Sequence, residues 1–265
     1  LLGDIPKDKI KFNTILKHLD YSDVIKAKFS DELEGNFDFL IIADGVFSQS
    51  KLIILKEGLK PKYNNSIALR GKLNKYDDKN ISIFMGSNFH YVIYPVNQNN
   101  EYNFVAILHK KLTVSELNNE QILQSEDFIN SLKKTITNNS LTNLENLTET
   151  HVFPVFVSKS LTTINQKNIF LSGDALFAFP PSFAQGASQS IETAQDIFNS
   201  IISDSDRIYK NNIRRIYSIN WRSKINHFAF HLSNPINVFI RNVILKYLSK
   251  NKKFLQSYLG KIYRN

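Results

Sequence analysis

The stretch 170–198, FLSGDALFAFPPSFAQGASQSIETAQDIF, decides how the rest of the chain is read. A short apolar run turns at Gly173-Asp174, passes the pair Pro180-Pro181 and enters a helix through Gly186, Ala187 and Ser188. In open α/β sheets, ligands bind beyond the carboxyl ends of the strands. Asp174 is delivered to such an edge, just after a glycine that lets backbone come close to a ligand. An acidic side chain there is an acceptor suited to a sugar hydroxyl and poorly suited to a phosphate. The small residues 186–188 open a helix whose first N–H groups lack intrahelical partners, and these can donate to an anion or a negatively charged ring atom. The prolines restrict the approach to that helix. An ordinary strand-loop-helix connection, with glycine as a turn residue, is the alternative reading of the same residues.

A related pattern lies upstream in ADGVFSQSK, residues 43–51. Phe37 to Ile42 is apolar except at Asp38 and predicts a fully buried strand of a parallel sheet. It ends at Asp44-Gly45. Ser48 can hydrogen-bond nearby backbone, and Lys51 is of a type to meet a phosphate. Either motif alone is a common turn; two of them in this order, flanking a β-rich insertion, form a more specific signal.

Outward from these motifs, Lys7 to Leu19 carries apolar residues near helical spacing, and Asp23 to Phe29 reads as a strand. Between Ser66 and Leu108 the pieces SIALRGKL, ISIFMG, HYVIYPV and YNFVAIL, separated by Asn, Asp and Gly, predict an antiparallel sheet. Helical spacing returns over 116–137, and HVFPVFV at 151–157 is a further strand. NIFLSG is buried strand again. Helices are expected over Gly186 to Ser203, Asp206 to His231, Pro235 to Ser249 and Lys252 to Tyr263. A parallel-type unit is thus interrupted by an antiparallel insertion and resumed, which makes the fold class mixed α/β.

Composition narrows the chemistry. The 265 residues contain no cysteine, which removes disulfides, thiolate catalysis and cysteine metal sites together and fits a reducing cytoplasm. His90, His109, His151, His227 and His231 show no metal spacing with carboxylates, and the pair His227 and His231 lacks a third ligand, so no metal is expected. The net charge of +9 is unaccompanied by any nucleic-acid-binding motif, so no nucleic-acid partner is expected. The densest basic segment, Lys246 to Arg264, allows at most peripheral association with a membrane surface. No apolar run approaches the roughly 20 residues that cross a bilayer.

With these residues in view, the chain resembles the FAD-dependent aromatic hydroxylases, single-component flavoprotein monooxygenases that include salicylate, 4-hydroxybenzoate and ubiquinone-pathway hydroxylases. ADGVFSQSK is similar to the family's second fingerprint, with Lys51 where arginine is usual. GDALFAFPPSFAQGASQSIETA is similar to its third, with Phe177 in place of a histidine and Thr193 in place of an acidic residue. ALRGKL with Arg70, FHYVIYPVNQNNEYNFVAIL and RRIYSINWRSKINHFAFHLSNPINVFIRNVIL resemble the family's substrate-side sheet and terminal helices, closest to the salicylate-hydroxylase branch.

The resemblance implies FAD as cofactor, NAD(P)H as reductant, O2 as co-substrate and hydroxylation of a small aromatic compound. By it Asp174 holds the ribityl chain, with Asp44, Gly45, Ser48, Lys51 and Gly173 in the cofactor fingerprints. Pro181 faces the flavin edge, Gly186 to Ser188 cap the pyrimidine end, and Arg70 is a substrate-side or flavin-edge charge. Tyr94, Phe179 and Phe183 are candidate lining of the substrate cavity. The implied organisation is a first part of the FAD-binding lobe (1–64), an antiparallel substrate-side sheet with helices (65–157), a second part of the lobe (158–203) and C-terminal helices (204–265). The family's opening βαβ unit with G-x-G-x-x-G has no counterpart here, so about the first hundred residues typical of the fold are expected to be missing. Two alternatives stand beside this reading. One is a non-hydroxylating flavoprotein of the same superfamily; the other is a catalytically incomplete chain.

Overall fold

The computed structural model describes residues 2–22, 24–55, 60–74, 76, 78–96, 101–138, 144–162, 164, 166 and 168–260. In chain order the elements are β1 (Leu16–Asp20), β2 (Ile25–Phe29), β3 (Glu34–Phe37), β4 (Leu40–Ile42), α1 (Gln49–Leu55), β5 (Lys62–Leu73), β6 (Ser82–Gly86), β7 (Phe89–Pro95) and β8 (Tyr102–His109). They continue with α2 (Val114–Leu117), α3 (Glu120–Leu123), α4 (Glu126–Thr137), β9 (Leu147–Val157), β10 (Ile169–Leu171) and α5 (Gly173–Leu176). The last four are α6 (Gly186–Ile202), α7 (Arg207–Phe230), α8 (Pro235–Leu248) and α9 (Lys252–Gly260). They group into two compact units. The first comprises residues 1–62, 158–178 and 186–212, and the second comprises 63–157, 179–185 and 213–265.

The first unit holds two small sheets. β1, β2 and β3 form an antiparallel meander, and β4 pairs with β10 in parallel register, Leu40 opposite Ile169 and Ile42 opposite Leu171. The helical spacing over Lys7 to Leu19 is not realised. Only a 3-10 turn, Lys7–Lys9, forms after Pro6, and Asn13 at φ 57° takes the chain out of helical geometry. Leu16 and Leu19 then enter the core from β1, while Phe12 and Ile15 stay in solvent. Asp23, the expected start of the next strand, lies outside the described residues.

The apolar run at 37–42 also differs from expectation. It divides into β3 and β4 at Asp38-Phe39, and Ile41 is 50% exposed. Only Ile42 of β4 is buried, whereas all three residues of β10 are. A pair of strands buries both faces only where neighbours cover both, and β4 is covered on one.

The second unit contains a five-stranded sheet in the order β6-β7-β8-β5-β9, antiparallel across β6-β7-β8-β5. Side chains alternate faces along a strand, and one face collects Ile67, Leu69, Phe89, Tyr91, Phe104 and Ala106 into the core. Helix α4 closes that face with Ile129, Leu132 and Ile136. The helical pattern over 116–137 is three helices because each start is capped. Thr113, Asn119 and Ser125 accept from the backbone N–H of Glu116, Ile122 and Phe128 in turn, as short polar residues at helix starts do. The opposite face of the sheet carries His90, Val92 and Arg70, and this face matters for the site.

The helices at 186–260 follow the sequence pattern closely. The expected end of the last one, at Tyr263, lies outside the described residues.

Candidate functional site

Two groups of candidate residues are described, one within each unit. In the first unit, the register of β4 and β10 explains why two motifs so distant in sequence belong together. Ser172 N–H donates to the Ile42 carbonyl at 2.8 Å, extending the parallel pairing past both strand ends. The segments Ala43-Asp44-Gly45 and Ser172-Gly173-Asp174 therefore leave the same edge side by side, about one strand spacing (~4.8 Å) apart. Both turn through glycines in the left-handed region, Gly45 at φ 86° and Gly173 at φ 58°, where a Cβ would be strained. A Cβ on Gly173 would also lie 3.1 Å from Ser190 Oγ of α6.

Asp44, Ser48 and Lys51 are used locally. Asp44 accepts from Ser50 N–H at 3.0 Å, and Ser48 Oγ accepts from Lys51 N–H at 3.0 Å, together capping α1. Burial opposes ionisation of Asp44, but the hydrogen bonds from Ser48 and Ser50 outweigh it and hold its pKa below the usual carboxylate value. Lys51 is buried, and its Nζ donates to the Ala175 carbonyl at 2.9 Å, so it ties α1 to α5. Burial lowers its pKa, with the Asp44 charge acting in the opposite direction.

Asp174 is different. Its side chain is exposed at the strand edge, has no described hydrogen-bond or ion-pair partner, and has its pKa raised by the water its surroundings displace. At the start of α6, a Cβ on Gly186 would meet nothing within 4 Å, so open space adjoins the first turn where Ala187 and Ser188 follow.

In the second unit a cleft of about 820 Å³ lies on the sheet face opposite the α4 core. Ile83, His90 and Val92 come from the strands, Pro181 to Ala184 form one rim, and α7, α8 and α9 supply the rest. The walls are predominantly apolar. Among the polar lining groups, Arg241 is buried and donates to the Asn242 side chain and the Ala229 carbonyl, and burial lowers its pKa. No ion pair with a carboxylate is described for it. Tyr258 stands at the wall, with the Arg222 guanidinium 5.2 Å from its ring centre.

The rim is anchored through histidines. Ser182 Oγ lies 2.9 Å from His227 Nδ1, the His227 and His231 rings are 4.2 Å apart, and His231 Nε2 is 2.9 Å from His90 Nδ1. Burial, with the charge of His227 second, lowers the His90 pKa to about 4; burial and the neighbouring histidines lower that of His231 to about 3. The set is neutral near pH 7. No group of metal-ligating residues occurs among the described residues.

Pro181 and Phe183 thus line the cleft. Tyr94 and Phe179 do not; Tyr94 hydroxyl accepts from the Asn103 side chain on the sheet. Arg70 shares a cross-strand row with Val105, Val92 and Ile83, but its guanidinium lies over the Phe153 ring at 5.6 Å and does not line the cleft. Reading along the sequence missed His90, Val92 and Arg241. The signal for the first two is parity, since both alternate with core residues Phe89, Tyr91 and Ile93; Arg241 carries none, being one basic residue in an apolar helix.

No protein-family model and no curated protein sequence matches the chain. Among solved structures, HpxO of Klebsiella pneumoniae, complexed with FAD and uric acid, is similar with a TM-score of 0.73 at 14% identity, over 97% of this chain and 68% of that one. A salicylate hydroxylase substrate complex gives 0.64 at 14% identity over 95% and 71%. The 2,6-dihydroxypyridine-3-hydroxylase from Arthrobacter nicotinovorans gives 0.61 at 16% over 89% and 64%. The chain has the mixed α/β fold of these proteins.

Proposed function

We propose that the protein is an FAD-dependent monooxygenase that uses NAD(P)H and O2 to hydroxylate an aromatic compound. The observation that carries the reading is the exposed Asp174 carboxylate, without a described partner, on the parallel-strand edge that also presents Gly45 and Gly173. Its setting fits a flavin. Asp174 would accept from ribityl hydroxyls, the turns at Gly45 and Gly173 allow close backbone approach, and the first N–H groups of α6 at Gly186 to Ser188 would face the electron-rich end of the ring. Lys51 serves by holding α1 against α5, and Asp44 and Ser48 by capping α1, so these three support the edge from behind.

Bound flavin supplies the redox and oxygen chemistry, as cofactors do. The chain's own contribution is position and environment. The cleft walls in the second unit exclude water from an apolar substrate, and Pro181 holds the rim in a fixed conformation. The neutral histidine set keeps Ser182 in place without adding charge. At about 820 Å³ the cleft falls in the range of roughly 300–1,000 Å³ that encloses small-molecule ligands. HpxO, of the same fold, is solved with uric acid.

The test is flavin titration followed by turnover. The chain should quench flavin fluorescence on binding, and candidate aromatic substrates should stimulate NAD(P)H oxidation with transfer of one oxygen atom to the ring. Consumption of NAD(P)H without an oxygenated product would instead identify a non-hydroxylating flavoprotein, and no flavin binding would remove the reading altogether.

A further inference from the structure

The charge of this chain is concentrated at one end. Residues 207–265 contain 13 Lys and Arg and no Asp or Glu, whereas residues 1–206 contain 20 and 24. Helix α8 lies inside that basic segment and departs from ordinary amphipathic design. Its inner face turns Arg241, Leu245 and Leu248 toward the cleft. Its outer face is apolar too. Ile236, Phe239, Ile240, Val243, Ile244 and Tyr247 follow each other at helical spacing and are 49–71% exposed. Lys246 flanks the last turn of this stripe, and Lys250, Lys252 and Lys253 follow its end, all exposed.

A continuous exposed apolar stripe marks an interaction surface, and the charge around it selects the occupant. We propose that α8 docks the protein on an anionic lipid surface, with the outer stripe set among the acyl chains and the lysines at its end against the headgroups. An interfacial helix needs an apolar face and basic residues that meet anionic lipid, and both are present without a compensating acid anywhere in the segment. No helix among the described residues is long and apolar enough to cross a membrane, so contact is with the surface. Ile240 and Ile244 belong both to the stripe and to the cleft wall. Docking therefore sets the cleft mouth beside the bilayer, where ligands that partition into lipid are concentrated. Docking itself does not depend on the proposed catalytic activity.

Co-sedimentation of the full 265-residue chain with phosphatidylcholine vesicles, with and without about one third phosphatidylglycerol, tests the proposal. Binding to the anionic vesicles should exceed binding to the neutral ones by roughly tenfold or more and should weaken as salt shortens the reach of the charges. The double variant Phe239→Ser/Val243→Ser, at two positions that do not line the cleft, should lose at least about tenfold in vesicle binding. The triple variant Lys250→Gln/Lys252→Gln/Lys253→Gln should lose mainly the preference for anionic lipid. Unfolding midpoints and flavin binding should stay at the parent values in both, which separates lost docking from lost folding. The proposal is overturned if the chain binds neither vesicle, if the Phe239/Val243 variant binds as well as the parent, or if the stripe instead mediates a dimer that this variant dissociates.

Discussion

The parallel pair of the first unit and the five-stranded sheet of the second put the same residue types to different uses. In the second unit, alternate side chains of β5, β7 and β8 disappear into a core sealed by α4, and the other face carries the cleft. In the first unit, β4 leaves Ile41 at the surface, and the candidate site beyond it is largely backbone, with two left-handed glycines, a helix start and, at Asp174, an exposed carboxylate without a described partner. A site made from backbone is read from glycine and turn residues. One made from side chains on several elements is visible only once the strands are paired.

The contrast is broken most forcefully in the second core. Phe104→Ala, at a fully buried position, should cost about 3–5 kcal/mol, whereas Ile41→Thr on the exposed side of β4 should stay within roughly 0.5 kcal/mol. Denaturant midpoints of the two variants measure this directly, and equal losses would mean that β4 is covered as fully as the second core.

Next in size is the histidine set. Each of His90 and His231 has a pKa lowered from 6.5 in the fold, so the unfolded chain binds more protons between pH 6.5 and about 4 for His90, or about 3 for His231. Stability is then fully present above about pH 6.5 and falls as the pH drops, by up to about 1.4 kcal/mol per pH unit for each histidine. The unfolding midpoint should decline from pH 7 to pH 5, and His90→Gln should flatten the decline. A midpoint independent of pH over that window would contradict the buried neutral assignment.

Gly173→Ala sharpens the comparison at the backbone site. It places a Cβ at φ 58° and 3.1 Å from Ser190 Oγ, which should cost roughly 1–3 kcal/mol by thermal unfolding and weaken flavin binding. A small effect of the opposite sign is expected at Ala184, a non-glycine residue at φ 50° on the cleft rim. Ala184→Gly should stabilise by about 0.5–1 kcal/mol, seen as a slightly raised midpoint.

These expectations also show what was legible beforehand. SIALRGKL and YNFVAIL are short apolar runs bounded by asparagine turn residues, which announces β5 and β8, and Pro235 after Asn234 announces the start of α8 with its cap. FDFLIIADG indicated a parallel strand, and β4 is one, but the run could not show that one side would remain exposed, because that depends on what packs there. Lys7 to Leu19 misled through spacing alone, since local pattern does not register the pairing of β1 with β2. Gly173 was legible as a turn because a glycine that ends an apolar run marks one, and it does turn there, at φ 58°. The His90–His231 contact joins residues 141 apart and leaves no mark in either neighbourhood.

The central claim rests on Asp174, and the most direct measurement is the flavin affinity of Asp174→Ala beside its unfolding midpoint. Loss of a charge-assisted hydrogen bond should weaken binding by roughly tenfold or more, while the midpoint holds or rises, because the fold offers the carboxylate no described partner and raises its pKa. Unchanged flavin affinity, or a fall in stability that accounts for the loss of binding, would contradict the assignment of this edge as the cofactor site.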